Sequence, residues 1–382
     1  MEKLRIKSFL IEHRSRIQAG NCFISFSDSL DQHHTRVSLK NHEIVIQVDE
    51  NVHRIATEKF FDINVKSFHS LLVSENFISF RFITANEKQF DEEVLTINDS
   101  SSKFQRIQVN VDVTGGRGFS VTCSNCDSLL TTDQEVSLRR ILELPSSNLD
   151  VSEWFCHRHA DEKLFDDSNC FDEATQQFQP KLGDSFYGPF CLLMNAQLFD
   201  KARLRVKRKL IHCKRCLQLL GEFNGQRIVK LWCESVKFND RAFFGVASQI
   251  SLIKRVIKNH LACESLMLVK LIFEASMPAN EDKKVHVIVQ VMDRNLQLLK
   301  LEEDSELVER RSIKVMYLKL RHDNDDDTRT LKYWQKDINV ATFELSFKML
   351  HALCEYLAAQ SLLIPEVYRS NNSFQLSYIE FL

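Results

Sequence analysis

Along the first 120 residues, apolar and polar positions alternate in short runs. The clearest run is 104–113, where Ile107, Val109, Val111 and Val113 fall on one face, the period of two that a half-buried strand requires. Residues 5–11, 43–48 and 78–83 are further predicted strands, divided by polar turns such as 98–102. Residues 1–120 therefore predict a β-sandwich-like domain. The region 121–235 is irregular apart from a strand predicted over 226–232, and it carries an acidic inserted loop at about 157–190. The region 236–382 mixes periods. Ile250, Ile253, Val256, Ile257 and Leu261 recur at helical spacing. Strands are predicted over 266–273 and 285–291, followed by an acidic loop at 323–327. A second helix is predicted to start at a Thr342 N-cap, with Phe347, Leu350, Cys354 and Leu357 on its apolar face. No internal repeat stands out and no low-complexity linker divides the chain.

Composition narrows the class. The chain has 382 residues, 44% hydrophobic, with 28 Phe. That supplies a core and excludes bulk disorder. Nine glycines are few, and their one cluster is Gly115, Gly116 and Gly118. Neither a dinucleotide fingerprint nor a phosphate-binding loop can be read, which excludes those nucleotide-binding classes. The net charge of −2 is not that of a general nucleic-acid binder, so direct nucleic-acid binding is not expected. The N-terminus has no secretory pattern. The longest apolar stretch, 266–275, contains Lys270 and Glu274 and falls well short of a bilayer span. A soluble protein of a reducing compartment, with no membrane partner, is expected.

Eleven cysteines change the picture, because four of them form two CxxC pairs. Cys123 and Cys126 are separated by 86 residues from Cys213 and Cys216. A CxxC turn places two thiolates on one side of a tight knuckle, and two knuckles complete a closed tetrahedral zinc site. One structural zinc per chain, bound by these four residues, is the expectation. A redox pair and chance spacing are the alternatives. Cys156 and His157 are adjacent and would point to opposite faces of a strand, so they are not assigned to the same metal. The fold expected is thus α+β and predominantly β: an N-terminal β-sandwich-like domain (1–120), a zinc-stapled middle (121–235) and a C-terminal α+β part (236–382).

Several segments resemble one family. Leu144-Pro145-Ser146-Ser147-Asn148 and Trp154-Phe155-Cys156-His157 are similar to the signature block of the HECT-like ubiquitin-protein ligases noted for binding a ubiquitin-conjugating enzyme. Asn169-Cys170-Phe171, Leu182-Gly183-Asp184-Ser185-Phe186, Leu220-Gly221, Trp334, Asp337-Ile338 and Asn372-Ser373-Phe374-Gln375 resemble its later blocks. The resemblance covers about 123–382. It implies a ligase that accepts ubiquitin from a conjugating enzyme, in the cytoplasm and nucleus. A thioester relay needs an activated thiolate. Beyond residue 216 the chain offers Cys233, Cys263 and Cys354, none beside a His or Lys arrangement that would lower its pKa, so the catalytic cysteine is not identified.

The resemblance also implies a second role. Asn169, Cys170 and Phe171 are similar to an inhibitory loop that enters the active site of a metallo-β-lactamase-fold endonuclease, the one that cuts pre-mRNA at the polyadenylation site. A thiolate on that enzyme's zinc would displace the attacking water. The alternative to a ligase is therefore a non-catalytic inhibitor or assembly factor of that endonuclease.

Lys201, Arg203, Arg205, Lys207, Arg208, Lys209, Lys214 and Arg215 form a basic run without an acid. Its alternation predicts five cations on one strand face, either a charge-guarded edge or a surface for an anionic partner. His33-His34 and His157-Arg158-His159 lack metal-site spacing. Thr132 and Glu135 match a capping box ahead of Pro145.

Overall fold

The computed structural model describes residues 6–85, 119–132, 138–144, 180–225, 227–245, 248–263, 268–278, 280–301, 306–321 and 324–381. The expected strand at 104–113, the glycine cluster, Cys156-His157, the Thr132–Glu135 pair and the loop bearing Asn169, Cys170 and Phe171 lie wholly or partly outside these residues.

The protein is mostly β. Its first segment comprises β1 (Ile6–Arg14), β2 (Ala19–Phe26), β3 (Thr35–Lys40), β4 (Glu43–Val48), β5 (Asn51–Ala56), β6 (Asp62–Val73) and β7 (Phe77–Ala85). The middle holds β8 (Val121–Cys123), β9 (Arg140–Glu143), β10 (Asp184–Tyr187), β11 (Cys191–Asn195), β12 (Leu204–Lys207), β13 (Leu210–Cys213), β14 (Leu219–Asn224), β15 (Ile228–Trp232), β16 (Val236–Phe238) and β17 (Arg241–Ala242). The last segment runs α1 (Gln249–Cys263), β18 (Lys270–Met277), β19 (Asn280–Leu301), β20 (Leu307–Leu320), α2 (Asp325–Gln335), β21 (Val340–Glu344), α3 (Phe347–Ser361), α4 (Glu366–Arg369), β22 (Ser370–Asn371) and β23 (Phe374–Phe381).

A ten-stranded sheet joins the two ends of the chain, because β1 pairs antiparallel with the second half of β19. β19 is the spine of this sheet. Its first half lies between β18 and β20, and register shifts on either side of Asp293 turn its second half toward β1. Extra residues in one strand bend and twist a sheet in this way.

Beside the bend, Glu12 is fully buried. It accepts bonds from Lys314 at 2.5 Å, the Tyr378 hydroxyl at 2.6 Å, Asn21 at 3.1 Å and Arg14 at 3.2 Å. Burial alone would raise the Glu12 carboxyl, but the Lys314 charge and these donors hold it below its ordinary value. A buried carboxylate is tolerated only when paired and saturated like this.

A separate three-stranded sheet, β3-β4-β5, closes over the first core, where Ile24, Ile44, Ile46, Phe61, Phe80 and Phe82 pack. The middle segment forms a seven-stranded sheet in the order β12-β13-β14-β15-β11-β10-β9, and β17-β16-β8 form another small one. One continuous core runs from this middle into the last segment, including Leu192, Leu231, Phe243, Ile257, Phe273, Val289 and Leu353.

The helical stripe is confirmed in α1, whose Ile253, Val256, Ile257 and Leu261 are buried. Two expectations in this region are corrected. Of the expected acidic loop at 323–327, residues 325–327 are helical instead. Asp325, Asp326 and Asp327 open α2, where Asn324 caps the Asp326 amide, and acids at a helix N-terminus complement its dipole. Thr342 does not cap the second long helix. It pairs with Ile272 inside β21, and Ser346 caps α3 by accepting from the Met349 amide at 3.1 Å. The basic run is corrected as well. β12 spans four residues, and the chain turns at Arg208 with φ of 54°, so five cations do not share one strand face.

Candidate metal centre

The two cysteine pairs sit on twin turns. In the first, the Cys123 amide donates to the Ser128 carbonyl at 2.9 Å and the Asp127 amide to the Cys123 carbonyl at 3.0 Å. In the second, Cys213 donates to Gln218 and Leu217 to Cys213, both at 2.9 Å. Asp127 and Leu217 occupy the same position and both adopt left-handed backbone, φ 54° and 62°. Leucine rarely adopts that conformation, and its presence marks a turn fixed by its surroundings. Each turn is also braced from outside. Ser124 donates to the Ser235 carbonyl and Lys214 to the Arg203 carbonyl, each at 3.0 Å. Cys123 stands opposite Val236 on β16, as Cys213 stands opposite Leu204 on β12.

These braces bring the four sulfurs together. Cys123 Sγ lies 3.6 Å from Cys216 Sγ, and Cys126 Sγ lies 3.6 Å from Cys213 Sγ. All four sulfurs lie within 4.8 Å of one another. A tetrahedron with metal–sulfur bonds of about 2.3 Å has edges of about 3.8 Å. The cluster is therefore already near the size of a closed four-thiolate site and can hold a metal ion. Cys123 and Cys213 are buried, while Cys126 and Cys216 are half-buried.

The surroundings act on the thiols in opposite directions. Burial pushes the Cys123 thiol up to about 12, although the Asn125 and Cys126 amides pull against it. Burial acts on Cys216 too, but the Asn125 side chain, the Gln218 amide and neighbouring thiols hold it down at about 6. Burial raises Cys126 as well, against the pull of the Ser128 amide. Amide donors converging on sulfur are what a metal-thiolate cluster requires around its ligands. Gln218 ties the turns together by donating to Ser124 Oγ at 3.1 Å, and Arg215 donates to the Cys126 carbonyl at 3.3 Å.

The sequence reading picked out the four cysteines but missed the repeat that contains them. Cys123-Ser124-Asn125-Cys126-Asp127-Ser128-Leu129-Leu130 and Cys213-Lys214-Arg215-Cys216-Leu217-Gln218-Leu219-Leu220 share the pattern CxxCxxLL. Leu130 and Leu220 are both fully buried, so each turn carries its own anchor into the core.

The remaining described thiols are differently placed. Cys22 and Cys233 are buried, and burial pushes both well above the ordinary thiol value. Burial pushes Cys191 up to about 11 and raises Cys354, which is half-buried on α3. None of these four is an activated thiolate. Asn169, Cys170 and Phe171, the expected partner-binding residues, are outside the described structure.

The resembling blocks make defined contacts. Asp184 takes a two-pronged bond from Arg140 at 2.9 and 2.7 Å. Trp334 stacks on Phe374 with ring centroids 6.3 Å apart, and Asp337 receives Lys270 at 2.8 Å. Gly221 lets β14 approach β15, since a Cβ there would come within 1.9 Å of the Lys230 carbonyl oxygen.

Fold and site together define a mostly β protein whose middle segment holds, between two sheets, a four-cysteine cluster able to bind a metal ion. Residues 12–376 match the family described as HECT-like ubiquitin-conjugating enzyme (E2)-binding, and the chain belongs to that family. It is similar to an E3 ubiquitin-protein ligase of Pongo abelii, 24% identical over 302 residues that cover 68% of this chain and 72% of the relative. It is also similar to the ligase of the same name from Mus musculus, 22% identical over 277 residues that cover 68% of this chain and 70% of the relative. No solved structure matches the chain.

Proposed function

We propose that the protein is a ubiquitin-protein ligase that binds a charged ubiquitin-conjugating enzyme and promotes transfer of ubiquitin to a lysine amine. The family match over 12–376 carries this reading. The state of Cys22, Cys191, Cys233 and Cys354 favours transfer directly from the conjugating enzyme. The lysine nitrogen attacks the thioester carbonyl, the conjugating enzyme's thiolate leaves, the nitrogen loses a proton and an amide bond forms. The ligase's part would be to orient that thioester. The four-cysteine site takes one structural zinc, in keeping with its sulfur donors and closed tetrahedral size. The protein acts in the cytoplasm and nucleus.

The test is discharge of a charged conjugating enzyme onto free lysine. Faster discharge with the protein, unchanged by Cys354→Ala, is expected. No acceleration with any of a panel of conjugating enzymes overturns the ligase reading. A reducible ubiquitin adduct on the protein would instead establish a relay through one of its own cysteines.

A second reading is favoured by Cys170, which lies in a segment carrying Asp161, Glu162, Asp166, Asp167, Asp172 and Glu173. In it, Asn169, Cys170 and Phe171 enter the active site of the polyadenylation endonuclease, and the thiolate binds its zinc. Acids around the thiol suit a basic RNA-binding cleft. Cys170→Ala should relieve inhibition of that nuclease. Equal inhibition by the variant and the parent protein removes this reading.

A further inference from the structure

The basic run has a structural counterpart that the family assignment leaves unused. Beside the β12–β13 hairpin lies a cavity of about 410 Å3, within the size range of small-ligand and side-chain pockets. Phe199, Leu204 and Phe223 give it apolar walls, while Lys201, Arg208 and Lys209 stand at it as cations. Phe199 and Leu204 belong to the middle core, so these walls are fixed, and the cations stand on the two turns that flank β12, Lys201 before it and Arg208 and Lys209 after it. Arg208 is exposed, and its left-handed backbone is the geometry of the first position in the two-residue β12–β13 turn.

The surface around this cavity is unbalanced in charge. Residues 201–215 contain eight cations and no acid. Arg203 is engaged by Asp200 at 3.0 Å. Lys201, Arg205, Lys207 and Arg208 are exposed, and no acidic side chain among the described residues pairs with them. A solvated edge needs charge, but it does not need an apolar hole between the charges. The two features together describe a ligand with several negative groups and one apolar group.

Nucleic acid and acidic protein both carry negative charge, and the aromatics separate them. Single-stranded nucleic acid is held by bases stacked on exposed ring faces. Residues 200–222 contain no Phe, Tyr or Trp, and of the two aromatic walls Phe199 is only 4% exposed and Phe223 is half-buried against the core. An aliphatic or aromatic side chain inserted from an acidic peptide fits better, with carboxylates meeting the lysines and arginines. We propose that the cavity at Phe199, Leu204 and Phe223, with its rim of Lys201, Arg208 and Lys209, docks an acidic protein segment that inserts one apolar side chain.

The test uses the full chain and three fluorescent probes: a glutamate-rich peptide with a central Leu-Phe pair, an all-glutamate peptide of the same length, and an oligouridine of similar charge. The Leu-Phe peptide should bind at low salt, with affinity falling as salt rises. The all-glutamate peptide should bind at least about tenfold more weakly, because it lacks an apolar side chain to bury in the cavity. The double variant Lys201→Glu, Arg208→Glu should lose at least tenfold in affinity while keeping its metal content and circular dichroism. Equal binding of both peptides overturns the apolar pocket. Unchanged affinity in the folded double variant overturns the basic rim. Tighter binding of oligouridine than of the Leu-Phe peptide overturns the choice of a protein ligand, and failure of the Leu-Phe peptide to bind overturns the site as a whole.

Discussion

Lys230 reaches from the middle sheet to the terminal one, donating to Glu344 at 2.6 Å while Glu222 holds it from the other side at 3.2 Å. Its side chain is 13% exposed, and the Glu344 and Glu222 charges raise its pKa against the effect of burial. Lys230→Met would leave two carboxylates facing each other without their cation. A stability loss of about 2–3 kcal/mol is expected, read from denaturant unfolding. Glu344→Gln added to that variant should recover part of the loss, because the two changes act on one interaction.

Metal analysis of the purified protein should find about one zinc ion per chain. Cys213→Ser should abolish it and broaden or lower the thermal transition, since the binding energy of a structural site is folding energy. A protein that melts identically with and without chelator would remove the structural role.

Gly221→Ala places a methyl group 1.9 Å from the Lys230 carbonyl oxygen. Backbone cannot yield as a flexible side chain does, so β14 and β15 must separate locally. A loss of about 2–3 kcal/mol is expected. Gly183→Ala is the control, because its Cβ would meet the flexible Arg139 side chain at 3.2 Å. It should be milder in the same unfolding measurement.

Acid should weaken the spine of the large sheet. Glu274 accepts from Lys284 at 2.6 Å and faces His286 at 3.4 Å. Burial works to raise its carboxyl, but His286 and Lys284 hold it down at about 2, against an ordinary 4.5. A depressed folded-state value means stability that is fully present above 4.5 and is lost as pH falls toward 2. Glu274→Gln should flatten the stability profile in that window. An unaltered acid limb would contradict this assignment.

Local pattern carried much of this structure. The stripe from Ile253 to Leu261 needs only a helix and one apolar neighbour, and α1 supplies both. β4 runs over 43–48 as its alternation predicts. The cluster of four cysteines was legible because CxxC spacing is itself a geometric statement. What failed depended on partners far away in sequence. Thr342 resembles a cap in isolation, but the parallel pairing with β18 extends that stretch and leaves Ser346 to start the helix. The acids at 325–327 look like solvated loop until Trp334, one helix length further on, is found stacked on Phe374 in the terminal strands. The basic alternation over 201–209 promised a strand, and the turn at Arg208 broke it. Pairing of β1 with β19 brings together residues nearly three hundred positions apart, which no local period can announce.

The braced twin turns have a consequence for the chain between them. A metal ion held by Cys126 and Cys213 turns the 86 residues that separate them into a closed ring. Proteolytic nicking inside that ring would leave two polypeptides clasped by metal–sulfur bonds and by their shared core. Such a product would migrate as two bands under denaturing electrophoresis yet elute as one species in native chromatography. Chelation would then loosen the clasp, so the cut protein reports on its metal more sensitively than the intact one.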